Sequence, residues 1–399
     1  VGKRIPLGEV SHFMKKETSD KLIEQLLENN FTVIASYHMS IDGCYFGGVT
    51  VKLKKFFTLT MLIVLIILGF VYPMHYYIMQ PGGAYDLGDY VKVENADQPS
   101  KGKLNMMTVS LSVATPFTYA LAHFSDEKEI LKDNQVRNPN ESDKDYNNRQ
   151  LKLMTDSQFN AKYVAFKKAN LNYKIHYNGV YVYYVVANGA ADHILNTGDE
   201  VIGIDGKEVH KHKELVDYLA NKKKGDQVKV KIKRDHQTMV KKIKLKKIPG
   251  TGGKIGLGIT FADSTSITTE PKVKIDAEDI GGPSAGLMFT LEIIDQLTKG
   301  DLTKGYNIAG TGEMLETGDV GRIGGIDKKV IAANDAGVEI FFAPNDTLPE
   351  AVKKKNPGIQ TNYQEAVQEA KKIGTKMKIV PVKNIDDALN YLEKLPEKK

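Results

Sequence analysis

Two short segments of this chain hold residue types suited to acyl-transfer chemistry. Asp279-Ile280-Gly281-Gly282-Pro283-Ser284-Ala285-Gly286 sets a serine on a glycine-rich turn, and Gly324-Gly325-Ile326-Asp327-Lys328-Lys329 brings two lysines, the second 45 positions after the serine (329 − 284). Gly281, Gly282 and Gly286 let backbone approach a substrate, and Pro283 suits a turn or a first helical position before the apolar run Leu287 to Leu297. Amides at such a helix start can hold the oxyanion formed when a carbonyl is attacked, which makes Gly282, Pro283 and Ala285 the turn residues of interest. A serine hydroxyl is a weak nucleophile and needs a base. A lysine serves only where apolar surroundings lower its pKa until neutral amine is populated. Lys329 precedes Val330-Ile331-Ala332-Ala333, so its helix is apolar on the side expected to face a core. Either segment alone is more often structural, a plain helix start or a solvated lysine. Together they read as a Ser/Lys dyad.

These residues resemble the proteolytic domain of Lon proteases, whose nucleophile lies in a Gly-Pro-Ser-Ala-Gly turn and whose lysine ends a Gly-Gly-x-x-x-Lys motif. The resemblance implies Ser284 as nucleophile and Lys329 as general base, with Lys328 the runner-up. Gly310-Thr311-Gly312-Glu313 is similar to the family's Thr-Gly-Glu segment, which implies that Thr311 hydrogen-bonds and orients the lysine. One departure stands out: the family usually has an acidic residue two places before the proline, where this chain has Gly281, with Asp279 two positions further back. Such a mechanism implies no cofactor, metal or nucleotide. The one phosphate-loop lookalike, Pro249-Gly250-Thr251-Gly252-Gly253-Lys254-Ile255, lacks the first glycine and the Ser/Thr after the lysine, and reads as a linker. Without a motor, the substrates expected are peptides, exposed tails or unfolded segments.

A chain of 399 residues with 41% hydrophobic and 26% charged content can bury substantial cores in two or three domains. The single cysteine, Cys44, excludes an intramolecular disulfide. The net charge of +6 comes from lysines that read as solvated strand faces, with no base-reading motif to suggest nucleic acid. Phe56 to Val71 is uncharged, and Tyr72 to Met74 extend it to bilayer length. Lys52, Lys54 and Lys55 precede it and Asp86 and Asp89 follow, so the expected topology is one membrane pass with a cytosolic amino terminus and everything beyond about Tyr76 outside. Tyr72-Pro73-Met74 offers no small-residue cleavage site, which favours an anchor over a signal peptide. Residues 1–48, with a helix-like Ser19 to Asn29, fit this plan poorly and read as an extension ahead of a start near Val49 or Val51.

Between the anchor and the dyad, Gly179 to Val186 reads as a strand, Ala190-Ala191 and Leu195 to Ile202 as a turn and a second strand, and Gly203-Ile204-Asp205-Gly206-Lys207 as a hairpin. A helix from about Lys213 to Lys222 and alternating strands at Gln227 to Lys233 and Val240 to Ile248 follow. This succession is similar to a PDZ domain of the bacterial protease type over 162–249. The resemblance implies a peptide-binding loop and edge at Gly179, Val180, Tyr181 and Val182, taking exposed C-terminal tails as an added strand. His210 and His212 lack a third ligand and read as exposed loop residues. Asn140-Glu141-Ser142 matches a glycosylation sequon by pattern only.

The carboxy-terminal half alternates strand and helix signals from Lys272 to Leu395. The expected fold class is mixed α+β or α/β, a Lon-type domain of the ribosomal protein S5 domain 2-like kind, joined to a PDZ β-unit and one transmembrane helix. The parts are residues 49–75 as flank and anchor, 76–161 as a membrane-proximal region packing on the protease, 162–249 as PDZ and 250–399 as proteolytic domain. In the region 76–161, Leu104 to Val113 reads as a strand pairing with the catalytic sheet, Phe117 to Phe124 as a helix start and Asn134 to Gln150 as a polar loop. The order resembles the ATP-independent, PDZ-containing Lon-like serine proteases of Gram-positive bacteria. It implies a cell-membrane endopeptidase acting on secreted peptides or membrane-proximal proteins, with homo-oligomers common in the family. The competing expectation is an inactive, membrane-tethered PDZ adaptor.

Overall fold

The computed structural model describes residues 49–96, 100–139, 141–277 and 280–398, with side chains of the first helix described from Phe57 onward. Residues 1–48 with Cys44, the sequon's Asn140 and the acidic Asp279 lie outside the described residues. Among the described residues, those from Ile66 onward form one compact unit. Helix α1 (Val49–Val71) carries Phe57 to Val71, apolar apart from two threonines and Gly69 and exposed on almost every face. Among the described residues, no helix is long and apolar enough to cross a membrane.

In chain order the compact unit holds β1 (Tyr76–Asp86), β2 (Val91–Val93), β3 (Lys103–Val113), β4 (Glu129–Lys132), α2 (Asp143–Lys168), β5 (Tyr173–Val185), β6 (Glu200–Ile204), α3 (His212–Ala220), β7 (Gln227–Arg234), β8 (Gln237–Lys244), β9 (Ile259–Thr269), β10 (Val273–Ile275), α4 (Gly286–Leu297), β11 (Asn307–Gly310), α5 (Ile326–Asp335), β12 (Ile340–Pro344), α6 (Asn362–Lys372), β13 (Lys378–Val382) and α7 (Ile385–Glu393). One mixed sheet runs β13-β12-β11-β3-β1-β4, parallel from β13 to β3 and antiparallel beyond. Strand β3 is thus an interior member, pairing Leu104 with Ile308 on one side and Met107 with Ala84 on the other. Parallel strands need crossover connections, and α5 and α6 supply them with a separate apolar cluster that includes Ile326, Val330, Phe341 and Ala366. The largest cluster lies around α4, which buries nearly every side chain from Leu287 to Ile294.

A second sheet, β9-β5-β6-β7-β8, is wholly antiparallel. It closes over its own core of Val180, Val182, Val201, Leu215, Val228 and Ile243. The turn after β6 puts Asp205 and Gly206 at positive φ, as a tight two-residue hairpin requires. A bidentate pair between Arg234 and the fully buried Asp199 ties β7 to the segment before β6.

Two elements differ from the sequence reading. The polar stretch Asn134 to Gln150 is only partly a loop: it opens in a helical turn that ends at Val136, and from Asp143 it belongs to the 26-residue α2. That helix buries Lys152 and Ser157 along with Met154, Phe159 and Ala161, so polar side chains interrupt the apolar periodicity that would have revealed it. Ile259–Thr269, read as part of the proteolytic half, pairs with β5 along its whole length and is an edge strand of the second sheet.

Candidate active site

The turn before α4 is built by neighbours that commit its backbone groups one by one. Gly282 adopts φ +89°, which a side chain would strain, and its N–H donates to the Gln150 carbonyl at 2.9 Å. The Pro283 carbonyl accepts the Ser157 hydroxyl at 2.9 Å. The Ser284 carbonyl accepts both the Gly312 N–H at 2.8 Å and the Thr311 hydroxyl at 3.0 Å, while Leu287 N–H returns a bond to the Gly312 carbonyl at 3.0 Å. Gly286 is a requirement of packing, because a Cβ there would sit 2.9 Å from Ser157 Oγ and 2.7 Å from the Met314 nitrogen. Of the three turn residues singled out in the sequence, Gly282 donates its amide to Gln150 and Pro283 has none. Ala285 keeps its N–H, which meets no acceptor among the described residues.

Lys329 lies in α5 and is 2% exposed. Its Nζ is 2.6 Å from Ser284 Oγ and 2.9 Å from Thr311 Oγ1. Burial pulls its pKa from 10.5 down to about 7. The threonine orders the hydrogen bonds around the amine. Its own hydroxyl hydrogen goes to the Ser284 carbonyl, so its oxygen can only accept from the lysine, and a neutral amine is left with its lone pair available to the serine. Lys328 is also buried, but its Nζ is paired with Asp327 at 2.7 Å. The structure therefore brings Ser284, Lys329 and Thr311 into one cluster, and commits Lys328 elsewhere.

Ser284 and Lys329 face a cleft of about 940 Å³ walled by Met79 of β1, Met106 to Val109 and Leu111 of β3, Tyr146, Gln150 and Met154 of α2, and Arg322-Ile323-Gly324. These walls are mainly apolar side chains with exposed strand backbone, a surface suited to an extended peptide. Gln150 and Ser157 were not foreseen from sequence. Ser142 as N-cap, with Asp143 and Asp145 in the first turn and Lys167 and Lys168 in the last, was the signal that could have marked their helix.

The proposed peptide edge at Gly179, Val180, Tyr181 and Val182 is corrected by the sheet. β5 is an interior strand there, with Tyr181 opposite Ala262 of β9 and Glu200 of β6, and Val180 and Val182 are fully buried. No further strand can pair at that place. Of the sheet's two edge strands, β8 and β9, it is β9 beside which α3 is held, by His212 and Asp263 at 3.0 Å. His210 contacts Glu208, and no group of metal-ligating side chains is assembled among the described residues.

Models of two known families match separate stretches of the chain. The family model of the Lon protease (S16) C-terminal proteolytic domain matches residues 271–394, and that of the PDZ domain matches residues 160–245. The chain is 37% identical over 92 residues to a Lon protease of Metamycoplasma arthritidis, a match covering 22% of this chain and 11% of that protein. It is 36% identical over 94 residues to the Lon protease of Clostridioides difficile, covering 22% of this chain and 12% of the other. The chain thus spans about an eighth of the length of the curated relatives it matches. Among solved structures, the PDZ domain of the SdrC-like protein from Listeria monocytogenes is 36% identical, covering 22% of this chain and 92% of that one at a TM-score of 0.21.

Proposed function

We propose that this chain, which joins a PDZ domain to a Lon-type proteolytic domain, is an ATP-independent serine endopeptidase working through a Ser284–Lys329 dyad. The observation that carries the reading is the 2.6 Å contact between Ser284 Oγ and the Nζ of a fully buried lysine whose pKa lies near neutrality. Neutral Lys329 takes the proton as Ser284 Oγ attacks the scissile carbonyl carbon, and the oxyanion faces the free Ala285 N–H. The ammonium then returns its proton to the leaving amine. Water hydrolyses the ester by the same route in reverse. Thr311 holds the amine in place throughout.

The apolar run from Phe56 to Met74, the basic residues before it and the all-round apolar exposure of α1 support a single-pass anchor, with both domains outside the cell membrane. The order of a PDZ domain followed directly by a Lon-type domain, which resembles that of the ATP-independent proteases, supports independence from ATP. Substrate tails would enter the PDZ domain as a strand along β9 against α3, since strand addition requires an open edge. The test is mass spectrometry of an unstructured polypeptide incubated with the purified full chain and with its Ser284→Ala and Lys329→Ala variants. Cleavage products are expected from the unaltered chain alone. Turnover retained by Ser284→Ala would refute the dyad, and an inert unaltered chain that still binds peptides would make it an adaptor.

A further inference from the structure

Immediately after β3 the chain turns into a short helix, Pro116–Ala122, capped by Thr115 and followed by a turn that ends in Phe124. One side of it is used in packing: Ala122 and Tyr119 sit on Ile78, Ile130 and Tyr76. The opposite side is largely open, meeting Phe70 of α1 through Phe117. Phe117 and Leu121 share a face at i and i+4, and Phe124 follows in the turn past the helix end; they are exposed by 42%, 45% and 89%. From Leu104 to Ser125 the sequence has no Asp, Glu, Lys or Arg. An exposed aromatic as bare as Phe124 is costly in water, at about 2–3 kcal/mol for a side chain of this size.

The neighbours of this face indicate what covers it. The Phe117 ring packs on Phe70 of α1 with centroids 4.2 Å apart, so the exposed face continues the apolar surface of that helix's last turn. Tyr72, 61% exposed, and Tyr76 lie between them in the chain, which gathers aromatic side chains at the point where α1 ends. Aromatic girdles of this kind mark the boundary between hydrocarbon and headgroups. We propose that Phe117, Leu121 and Phe124 insert into the bilayer surface beside the anchor, making the 116–124 segment a second, interfacial attachment that fixes the orientation of the catalytic sheet on the membrane. The inference rests on reading α1 as an anchor. Having no lysine or arginine, the attachment draws on apolar burial alone and is indifferent to anionic lipid.

The absence of tryptophan from the chain makes the test direct, because Phe124→Trp supplies the sole indole emitter. The full chain, carrying Ser284→Ala against self-cleavage, is reconstituted into bilayers with and without lipids brominated along the upper acyl chain. A companion protein has Leu65→Trp in α1 instead. The expected result is a fall in indole emission from position 124 of about two-fold or more with brominated lipid, equal in zwitterionic and anionic bilayers, and weak quenching by acrylamide from the aqueous side. Full acrylamide quenching with no lipid effect at position 124 overturns the proposal, as does protection from both quenchers, which would indicate a protein partner. If position 65 responds to brominated lipid and 124 does not, only the interfacial attachment fails. If neither responds, the anchor itself fails.

Discussion

The buried amine of Lys329 makes a prediction that appears twice, once in rate and once in stability. Burial sets its pKa at about 7 against an ordinary 10.5, an interval equivalent to about 5 kcal/mol at ~1.36 kcal/mol per unit. Because the folded pKa is the lower one, the unfolded chain binds the extra proton between pH 7 and 10.5, and stability rises with pH across that window. Below pH 7 both states are protonated and the whole cost of burial is present. Lys329→Met replaces the amine with an apolar side chain of similar length and removes the cost. Allowing about 1 kcal/mol for the lost bond to Thr311, the methionine variant should be more stable by about 3 kcal/mol at pH 7. That advantage should vanish at about pH 10 and give way to about 1 kcal/mol in favour of lysine at higher pH. Urea unfolding of the detergent-solubilised chain, in a Ser284→Ala background and followed by circular dichroism, measures the difference at each pH. In the active chain the same proton must leave before Ser284 can be activated, so kcat/KM should climb about tenfold per pH unit below neutrality and level above about pH 7. Parallel stability curves for the lysine and methionine proteins, or activity still climbing at pH 10, would refute a lysine neutralised by burial.

Three further outcomes follow from the geometry. Thr311→Val removes the acceptor that steers the amine, and should lower kcat by about 10- to 100-fold with KM little changed. A matching rise in KM would show that the threonine acts on binding instead. Asp199→Ala leaves the Arg234 guanidinium without its bidentate partner and should cost the second sheet about 3–5 kcal/mol, read as early loss of its amide protection in hydrogen exchange. Phe261→Glu puts a charge on the open β9 edge and should weaken capture of peptide tails while cleavage of short soluble peptides continues. Equal loss of both activities would argue that the edge does not recruit substrate.

What could be read from sequence was governed by how local each signal is. Ser284 and Lys329 stand on segments whose glycines and apolar helices are visible within a few residues, and Thr311 was reached through the same resemblance. The strands β7 and β8 and the helices α4 and α6 show their periods plainly. Signals failed where one element serves two neighbours. Helix α2 meets the second sheet through Asn148 and Tyr181 on one side and the nucleophile turn through Gln150 and Ser157 on the other, so its polar residues are spread over faces that would otherwise be apolar. β9 fills its eleven positions with four threonines and two serines, which leaves it without a clear hydrophobic alternation. The PDZ edge was misjudged because an interior strand and an edge strand differ only in what pairs with them, and the partner of Gly179 lies far downstream, at Ser264.

The position of β3 also sets the order in which the molecule can assemble. Its Asn105 amide is bonded to Asn307 across 202 positions of chain, whereas β5 to β9 find their partners within a self-contained stretch. Short-range pairings form sooner than long-range ones, and domains made during synthesis fold from the amino-terminal side. A growing chain therefore completes its second sheet while β3 still lacks its partner β11, and the Ser284–Lys329 contact follows once the later strands and helices have been made. The contact on which the proposed cleavage depends is a late acquisition of this polypeptide as it folds.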